Sequence, residues 1–253
     1  MNSNLNSEPK ILLSAKNLHK TFGDKRVHGG VSFDLHENEI LGLFGGSGTG
    51  KSVILRSLIG LETPDEGEII FNGQDLMKMS ERDLFKIRTQ ISYVFQNGAL
   101  FDSLTVEENL AYPLKAHTAL DADEILARVN ETLELIDMKN ANNLLPDELS
   151  GGMQKRAGFA RSIILNPKIV LLDEPTAGLD PVNTSRLLRT ILAFKKRGMT
   201  GVFVTHDIPS AFEICDRIAI LNNGRIERLM TVEEMKHSDD PLVKSFTTGA
   251  QTV

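Results

Sequence analysis

The chain has 253 residues, of which 41% are hydrophobic and 25% are charged, and its formal net charge is −6 at pH 7. This composition predicts a globular protein, and the length suffices for one large domain or for a domain with a subdomain. The acidic balance argues against a nucleic-acid-binding protein, although it leaves room for a local basic patch.

Three features of the sequence predict its cellular compartment. No run approaches the ~18 apolar residues that are needed to cross a bilayer. Residues 1–10 are polar and lack the apolar centre of a signal peptide. The single cysteine, Cys215, excludes an internal disulfide, and its apolar neighbours predict a buried structural thiol. We therefore expect a cytosolic protein that reaches a membrane only through a partner.

The first predicted elements are short strands separated by turns, and the clearest lie at 11–13 and 31–35. Between them, Phe22 lies in the turn-rich segment 20–24. An exposed aromatic ring just before a nucleotide-binding loop can stack on an adenine. Packing of Phe22 in the core is the alternative.

A glycine-rich loop follows a buried strand at 40–44 and precedes an apolar helix at 53–59. Glycine lets the backbone turn its N–H groups into one concavity, and the helix dipole adds positive potential there. This order predicts a phosphate-binding loop, with Lys51 on the β- and γ-phosphates and Ser52 on Mg²⁺. A glycine-rich turn without a ligand is the alternative. The predicted nucleotide-binding residues of the loop are Gly45, Gly46, Ser47, Gly48, Thr49, Gly50, Lys51, Ser52 and Val53.

The middle of the chain is predicted to be mostly helical, from about residue 97 to residue 160, within an α/β framework. The clearest helix spans 121–138, where Asp121 and Glu124 form a start of the capping-box type. Further on, Ser150, Gly151 and Gly152 open another helix and form a second potential anion site.

Four apolar segments have the length of buried strands, and they lie at 40–44, 91–95, 169–172 and 201–205. Each is followed by groups suited to phosphate chemistry: the glycine-rich loop, Gln96, the pair Asp173 and Glu174, and His206. Because the carboxyl ends of parallel strands share one edge of a sheet, these groups are predicted to lie together there. Individually, each has an ordinary alternative as a strand cap, a turn residue or a partner of a backbone carbonyl.

Hydrolysis of Mg-ATP suggests a role for each group. Asp173 holds the metal together with Ser52. Glu174 accepts a proton from the attacking water. Gln96 bridges that water and Mg²⁺, and His206 donates to the γ-phosphate and orients Glu174. Helix geometry alone does not settle whether Ser150 reaches this site within one molecule.

The motifs along the chain are, in order, the glycine-rich loop, Gln96, Leu-Ser-Gly-Gly at 149–152, Leu-Leu-Asp-Glu at 171–174, Gly-Leu-Asp at 178–180 and His206. This order resembles that of the ATPase subunits of ABC transporters. The resemblance covers about residues 11–230. It implies an α/β P-loop NTPase with a RecA-like core, an antiparallel β subdomain and a helical subdomain at about 97–160. The polar tail 1–10 precedes this nucleotide-binding domain, and a C-terminal extension, 231–253, follows it. ATP and Mg²⁺ are the implied cofactors.

The same resemblance implies a head-to-tail homodimer with two identical ATP sites. Ser150, Gly151 and Gly152 of one protomer then face the γ-phosphate bound by the other, and Asp180 lies across the interface. Phe22 becomes the ring that stacks on adenine, where the family more often has tyrosine.

A closer similarity, to the ATPases of Mla- and Mce-type lipid transporters, lies in the sequence of residues 98–106 and 109–114 and in Met153. This similarity implies phospholipid transport between the inner and outer membranes, which maintains outer-membrane lipid asymmetry. It also implies a permease, a periplasmic MCE-type lipid-binding protein and a small cytosolic partner, with no nucleic acid. The ATPase is then peripheral on the cytoplasmic face of the bacterial inner membrane.

A permease helix is predicted to dock near Leu100, Phe101 and Leu104, unless these residues form the core of the helical subdomain. Three other functions compete with phospholipid transport. They are import of another solute, a soluble ABC ATPase without a transport role, and an unrelated P-loop kinase. A kinase offers no reason for the segment at 149–152.

Overall fold

The computed structural model describes residues 9–96 and 98–247. In chain order its strands are β1 Ile11–Phe22, β2 Lys25–His36, β3 Ile40–Phe44, β4 Glu66–Phe71, β5 Gln74–Asp75, β6 Ile91–Val94, β7 Ile169–Asp173, β8 Thr200–Val204, β9 Arg217–Asn222 and β10 Arg225–Thr231. Its α-helices are α1 Lys51–Leu58, α2 Glu81–Ile87, α3 Val106–His117, α4 Ala122–Leu135, α5 Gly151–Ile163, α6 Pro181–Lys195, α7 Ile208–Ile214, α8 Val232–Lys236 and α9 Pro241–Thr247. Short 3₁₀ turns lie at Leu76–Lys78 and Pro146–Glu148.

One sheet is antiparallel and has the order β2-β1-β4-β5. Its first two strands are 12 residues each and form a long hairpin, so the prediction of short strands at 11–13 and 31–35 was wrong in length. The hairpin continues through polar segments because cross-strand pairing satisfies the backbone, with register shifts along the way. Phe22 is the last residue of β1 and pairs with Lys25, so it belongs to the strand and not to the turn.

The second sheet has the order β10-β9-β3-β8-β7-β6. Parallel pairing joins β3 to β8, β8 to β7 and β7 to β6, so the four predicted strands are neighbours. Every residue of β3 and β8 is buried, as expected for parallel strands covered on both faces. The predicted sharing of one edge by the four carboxyl ends is confirmed.

Alternation along the parallel strands divides their side chains between two cores. Leu41 and Leu171 face a core that contains side chains of the antiparallel sheet and of α1. Phe44 and Leu172 face the opposite core, which contains residues of α5, α6 and α7. A third core joins α3, α4 and α5 away from the sheets. Cys215 lies in the second core and is buried, as predicted.

The predicted helix at 121–138 is present as α4. Asp121 caps its N-terminus, and Glu124 completes a capping box. The helix ends three residues early because Ile136 leaves helical geometry and Asp137 has a positive φ of 58°. The helices of the region predicted at about 97–160 are α3, α4 and α5, but residue 97 lies outside the described residues.

The last described helices, α8 and α9, pack on the second core through Val232, Met235 and Val243. Residues 1–8 of the predicted N-terminal tail and 248–253 of the predicted C-terminal extension lie outside the described residues. The division of the chain into these segments remains a prediction. Within residues 9–96 and 98–247, no helix is both long enough and apolar enough to cross a membrane.

Candidate active site

The glycine-rich loop connects the end of β3 to the start of α1. Gly50 is the N-cap of α1 with φ 94°, and no side chain of the described residues caps this helix. A Cβ on Gly50 would lie 2.4 Å from Val27 Cγ1 and 2.6 Å from His28 Nε2, so the position excludes any larger residue. The first amides of α1 therefore have no side-chain acceptor, and the loop and helix start suit an anion.

Lys51 lies across this loop and is largely buried. Its Nζ donates to the carbonyl oxygens of Gly45 at 2.8 Å and Gly46 at 3.0 Å. Burial lowers the pKa of the Lys51 amine, while the carboxylates of Glu174 and Asp173 oppose that shift. The amine is thus held between the loop backbone and two acidic groups.

Asp173 is the last residue of β7, and both of its carboxylate oxygens accept hydrogen bonds. Ser52 Oγ donates to Oδ1 at 3.0 Å, and the Tyr93 hydroxyl donates to Oδ2 at 2.6 Å. Burial, and then the bond to Asp173, raise the pKa of Tyr93 well above its usual range. A hydroxyl and a carboxylate in contact are hard oxygen donors of the kind that Mg²⁺ prefers, so this pair fits a magnesium ion.

Glu174 follows Asp173 and has a positive φ of 47°. Its backbone N–H donates to Val204 O at 2.9 Å, which holds it beside the end of β8. His206, just beyond β8, places Nδ1 2.8 Å from Glu174 Oε2. Their pairing orients a carboxylate that can accept a proton.

A cavity of about 700 Å³ lies along this edge of the sheet, within the range of small-molecule sites. Ten predicted residues line it: Phe22, Gly45, Ser47, Gly48, Gly50, Lys51, Ser52, Val53, Glu174 and His206. Gly46 and Thr49 are not in this lining; within the loop, Thr49 Oγ1 donates to Gly46 O at 2.8 Å. Phe22 is 44% exposed at the mouth, so it is not packed in the core.

Sequence reasoning missed two residues of the cavity, Lys25 and Val27 on β2. They reach it because the long hairpin folds β2 back beside Phe22. The two-residue turn between the strands was the available signal, since it fixes which residues oppose Phe22. Tyr93 was also missed, because a tyrosine within a run of β-formers resembles ordinary core.

Other predicted site residues lie outside this cavity in the described part of the chain. Gln96 follows β6 and is exposed. Ser150 is the N-cap of α5, where its side chain accepts from Met153 N, and both Ser150 and Gly151 are exposed. Asp180 is the exposed N-cap of α6, and its carboxylate accepts from Asn183 N at 3.0 Å.

The starts of α5 and α6 are packed together. A Cβ on Gly152 would lie 2.5 Å from Asn183 Cγ, so only glycine allows this approach. Asn183 Nδ2 in turn donates to Asp180 Oδ2 at 2.5 Å. Ser150, Gly151 and Asp180 are therefore neighbours on one exposed surface, beneath which Gly152 is buried.

The sequence is similar to ATP-binding proteins of transporters. A sequence profile described as ABC transporter matches residues 28–177. The probable ribonucleotide transport ATP-binding protein mkl of Mycobacterium leprae is 39% identical over 240 residues, which cover 94% of this chain and 69% of that protein. The intermembrane phospholipid transport system ATP-binding protein MlaF of Escherichia coli K12 is 36% identical over 239 residues, which cover 94% of this chain and 89% of that protein.

A third relative is the methionine import ATP-binding protein MetN of Carboxydothermus hydrogenoformans, which is 38% identical over 93% of this chain and 71% of its own length. Among solved structures, the dimeric post-hydrolysis state of the ATP-binding cassette MJ0796 with ADP and Pi is similar. Its TM-score is 0.80 at 32% identity, covering 87% of this chain and 98% of that chain.

Proposed function

Because the chain belongs to the ABC transporter family and is an ATP-hydrolysing subunit of that family, we propose that it powers phospholipid transport between the inner and outer membranes of a bacterium. The observation that carries this proposal is the 36% identity to MlaF, which extends over 94% of this chain and 89% of that relative. Import of another solute is the second candidate, and the 38% identity to MetN favours it.

In the proposed site the loop amides, the start of α1 and Lys51 bind the β- and γ-phosphates, and Phe22 stacks on the adenine. Ser52 and Asp173 hold Mg²⁺, with Gln96 as a further ligand from the end of β6. The metal ion, when bound, offsets phosphate charge in the transition state. The 3.0 Å contact between Ser52 and Asp173 supports this assignment.

Glu174 takes a proton from the attacking water in this proposal, and His206 keeps the carboxylate oriented. The 2.8 Å contact between His206 Nδ1 and Glu174 Oε2 supports it. Gln96 contacts the same water from the end of β6. Positioning dominates, because phosphoryl transfer asks for little covalent chemistry from the protein.

The site is completed by a second copy of the chain. Ser150, Gly151 and Gly152 of one protomer face the γ-phosphate held by the other, and Asp180 lies at the interface. The exposure of Ser150 and Gly151, outside the cavity of their own chain, supports this arrangement. The dimeric state of the similar cassette supports it too.

Paired variants test this dimer. A heterodimer of Ser150→Arg and Lys51→Ala protomers retains one intact composite site if Ser150 acts in trans. We expect such heterodimers to hydrolyse ATP, whereas each homodimer is nearly inactive. Phosphate release is measured on heterodimers isolated through two different affinity tags.

The matched control pairs a wild-type protomer with the Lys51→Ala/Ser150→Arg double variant. This heterodimer has no intact site if Ser150 acts in trans, and one intact site if it acts in cis. Activity in the control together with inactivity in the first heterodimer would contradict the proposed dimer.

Transport requires a membrane partner, and an integral-membrane permease is the proposed one. Two aromatic side chains beyond β6 are exposed, Phe95 to 46% and Phe101 to 45%, and they support a docking surface for the permease there. Leu100 and Leu104 are half-buried. Through this permease the chain is peripheral on the cytoplasmic face of the inner membrane. A periplasmic MCE-type lipid-binding protein and a small cytosolic partner complete the proposed assembly.

Lipid analysis of the native complex tests the proposed substrate. The chain is purified together with its membrane partner in a detergent that contains no phospholipid. We expect more phospholipid to co-purify with this complex than with an unrelated membrane protein extracted in the same detergent. Mass spectrometry of the organic extract measures that excess. A complex without such lipid, whose ATP hydrolysis rises with an amino acid or another polar solute, would instead support the importer.

A further inference from the structure

The carboxylate assigned to magnesium has a second hydrogen-bond donor that the proposed mechanism does not use. Ser52 Oγ donates a hydrogen bond to Oδ1 of Asp173, and the Tyr93 hydroxyl donates one to Oδ2 at 2.6 Å. A carboxylate held at both oxygens has a fixed plane, whereas one held at a single oxygen can rotate about its Cβ–Cγ bond. Tyr93 therefore restricts how Asp173 presents its oxygens.

The fold holds Tyr93 firmly in this place. Tyr93 lies on β6 and pairs with Leu171 on the neighbouring strand β7, two residues before Asp173. Tyr93 is 9% exposed within the first core, and its ring centroid lies 4.6 Å from the ring centroid of Phe95. The hydroxyl thus reaches Asp173 from a rigid, packed strand and needs no loop movement.

We propose that Tyr93 is a positioning residue for the magnesium site, which it serves by fixing the carboxylate of Asp173. This inference rests on the proposed role of Asp173 as a metal-holding residue. Groups that hydrogen-bond a ligand orient it for the metal, and their loss typically weakens metal affinity by about 10- to 100-fold. The alternative is a core tyrosine whose buried hydroxyl only needs some acceptor.

Tyr93→Phe separates the two roles, because it removes the hydroxyl and keeps the packed ring. Mn²⁺ serves as the reporter for Mg²⁺, and its binding is measured by electron paramagnetic resonance with a nonhydrolysable ATP analogue present. We expect the Mn²⁺ dissociation constant to rise by about 10-fold. Binding of the same analogue in EDTA is expected to stay at the wild-type value.

The chain offers a matched control, since it has only two tyrosines. Tyr112 is 54% exposed on α3, and Tyr112→Phe is expected to leave both measurements unchanged. Circular dichroism and thermal unfolding establish that each variant is folded. A Tyr93→Phe protein with wild-type Mn²⁺ affinity would overturn the proposal, as would equal losses of Mn²⁺ binding and of metal-free nucleotide binding.

Asp173→Asn distinguishes failure of this proposal from failure of the proposed site. If Asp173→Asn greatly weakens Mn²⁺ binding and Tyr93→Phe does not, only the role of Tyr93 is rejected. If neither substitution changes Mn²⁺ binding, Asp173 does not hold the metal, and both proposals fail. The expected order of Mn²⁺ affinity is wild type, then Tyr93→Phe, then Asp173→Asn.

Discussion

Glu174→Gln is expected to bind ATP normally and to hydrolyse it about 10²–10⁴ times more slowly, the usual value of a general base. Glutamine has nearly the same shape as glutamate, so the backbone at Glu174 and the contact site for His206 are retained. Its amide, however, does not accept a proton from water. Phosphate release at saturating ATP measures the rate, and size-exclusion chromatography with ATP is expected to show an accumulated dimer.

A charge-matched control for this variant is Glu213→Gln, because Glu213 is exposed on α7 outside the cavity lining. It is expected to hydrolyse ATP at the wild-type rate. Near-normal hydrolysis by Glu174→Gln would remove Glu174 from the role of base. His206→Ala adds a graded comparison, since loss of the 2.8 Å contact leaves the carboxylate present but less well oriented.

Lys51→Ala is expected to weaken ATP binding by about 10- to 100-fold, the range that corresponds to one lost charge-assisted hydrogen bond. The effect has two physical sources. The phosphates lose a cation, and the carboxylates of Glu174 and Asp173, which interact with the Lys51 amine, are left facing the anionic substrate. Equilibrium titration with a fluorescent ATP analogue measures the affinity, and turnover is expected to fall as well.

Lys86→Ala is the control for the loss of one positive charge. Lys86 is 71% exposed on α2, where it pairs with Asp83 at 3.7 Å. This substitution is expected to change neither ATP affinity nor turnover. Equal affinities of the Lys51→Ala and Lys86→Ala proteins would exclude Lys51 from the nucleotide site.

Parts of the structure that depend on neighbours along the chain were predictable. The helix at α4 begins where Asp121 and Glu124 predict it, because a capping box involves residues only three apart. The four buried strands were recognised by continuous apolar runs between turn signals. Their carboxyl ends were predicted to share an edge because buried parallel strands in α/β proteins point the same way.

Predictions were less accurate where contacts between residues distant in the sequence set the length of a strand or the placement of a side chain. The hairpin of β1 and β2 is longer than its apolar pattern indicates, since cross-strand hydrogen bonds carry it through polar residues. Gln96 follows β6 at the shared edge, as expected, but it is exposed and outside the cavity lining, so its contact with metal and water remains a prediction. Strand position alone does not determine the direction of a side chain in the loop that follows.

The sequence by itself determined the phosphate-binding loop, the apolar strands and the groups at their ends, because backbone preferences and apolar periodicity are properties of short segments. Only the tertiary structure decided that β8 lies between β3 and β7 and that Lys25 and Val27 border the cavity. It also brought the Tyr93 hydroxyl to Asp173, across 80 residues of chain. Such contacts depend on the order and register of the sheet, which arise when whole faces are buried together.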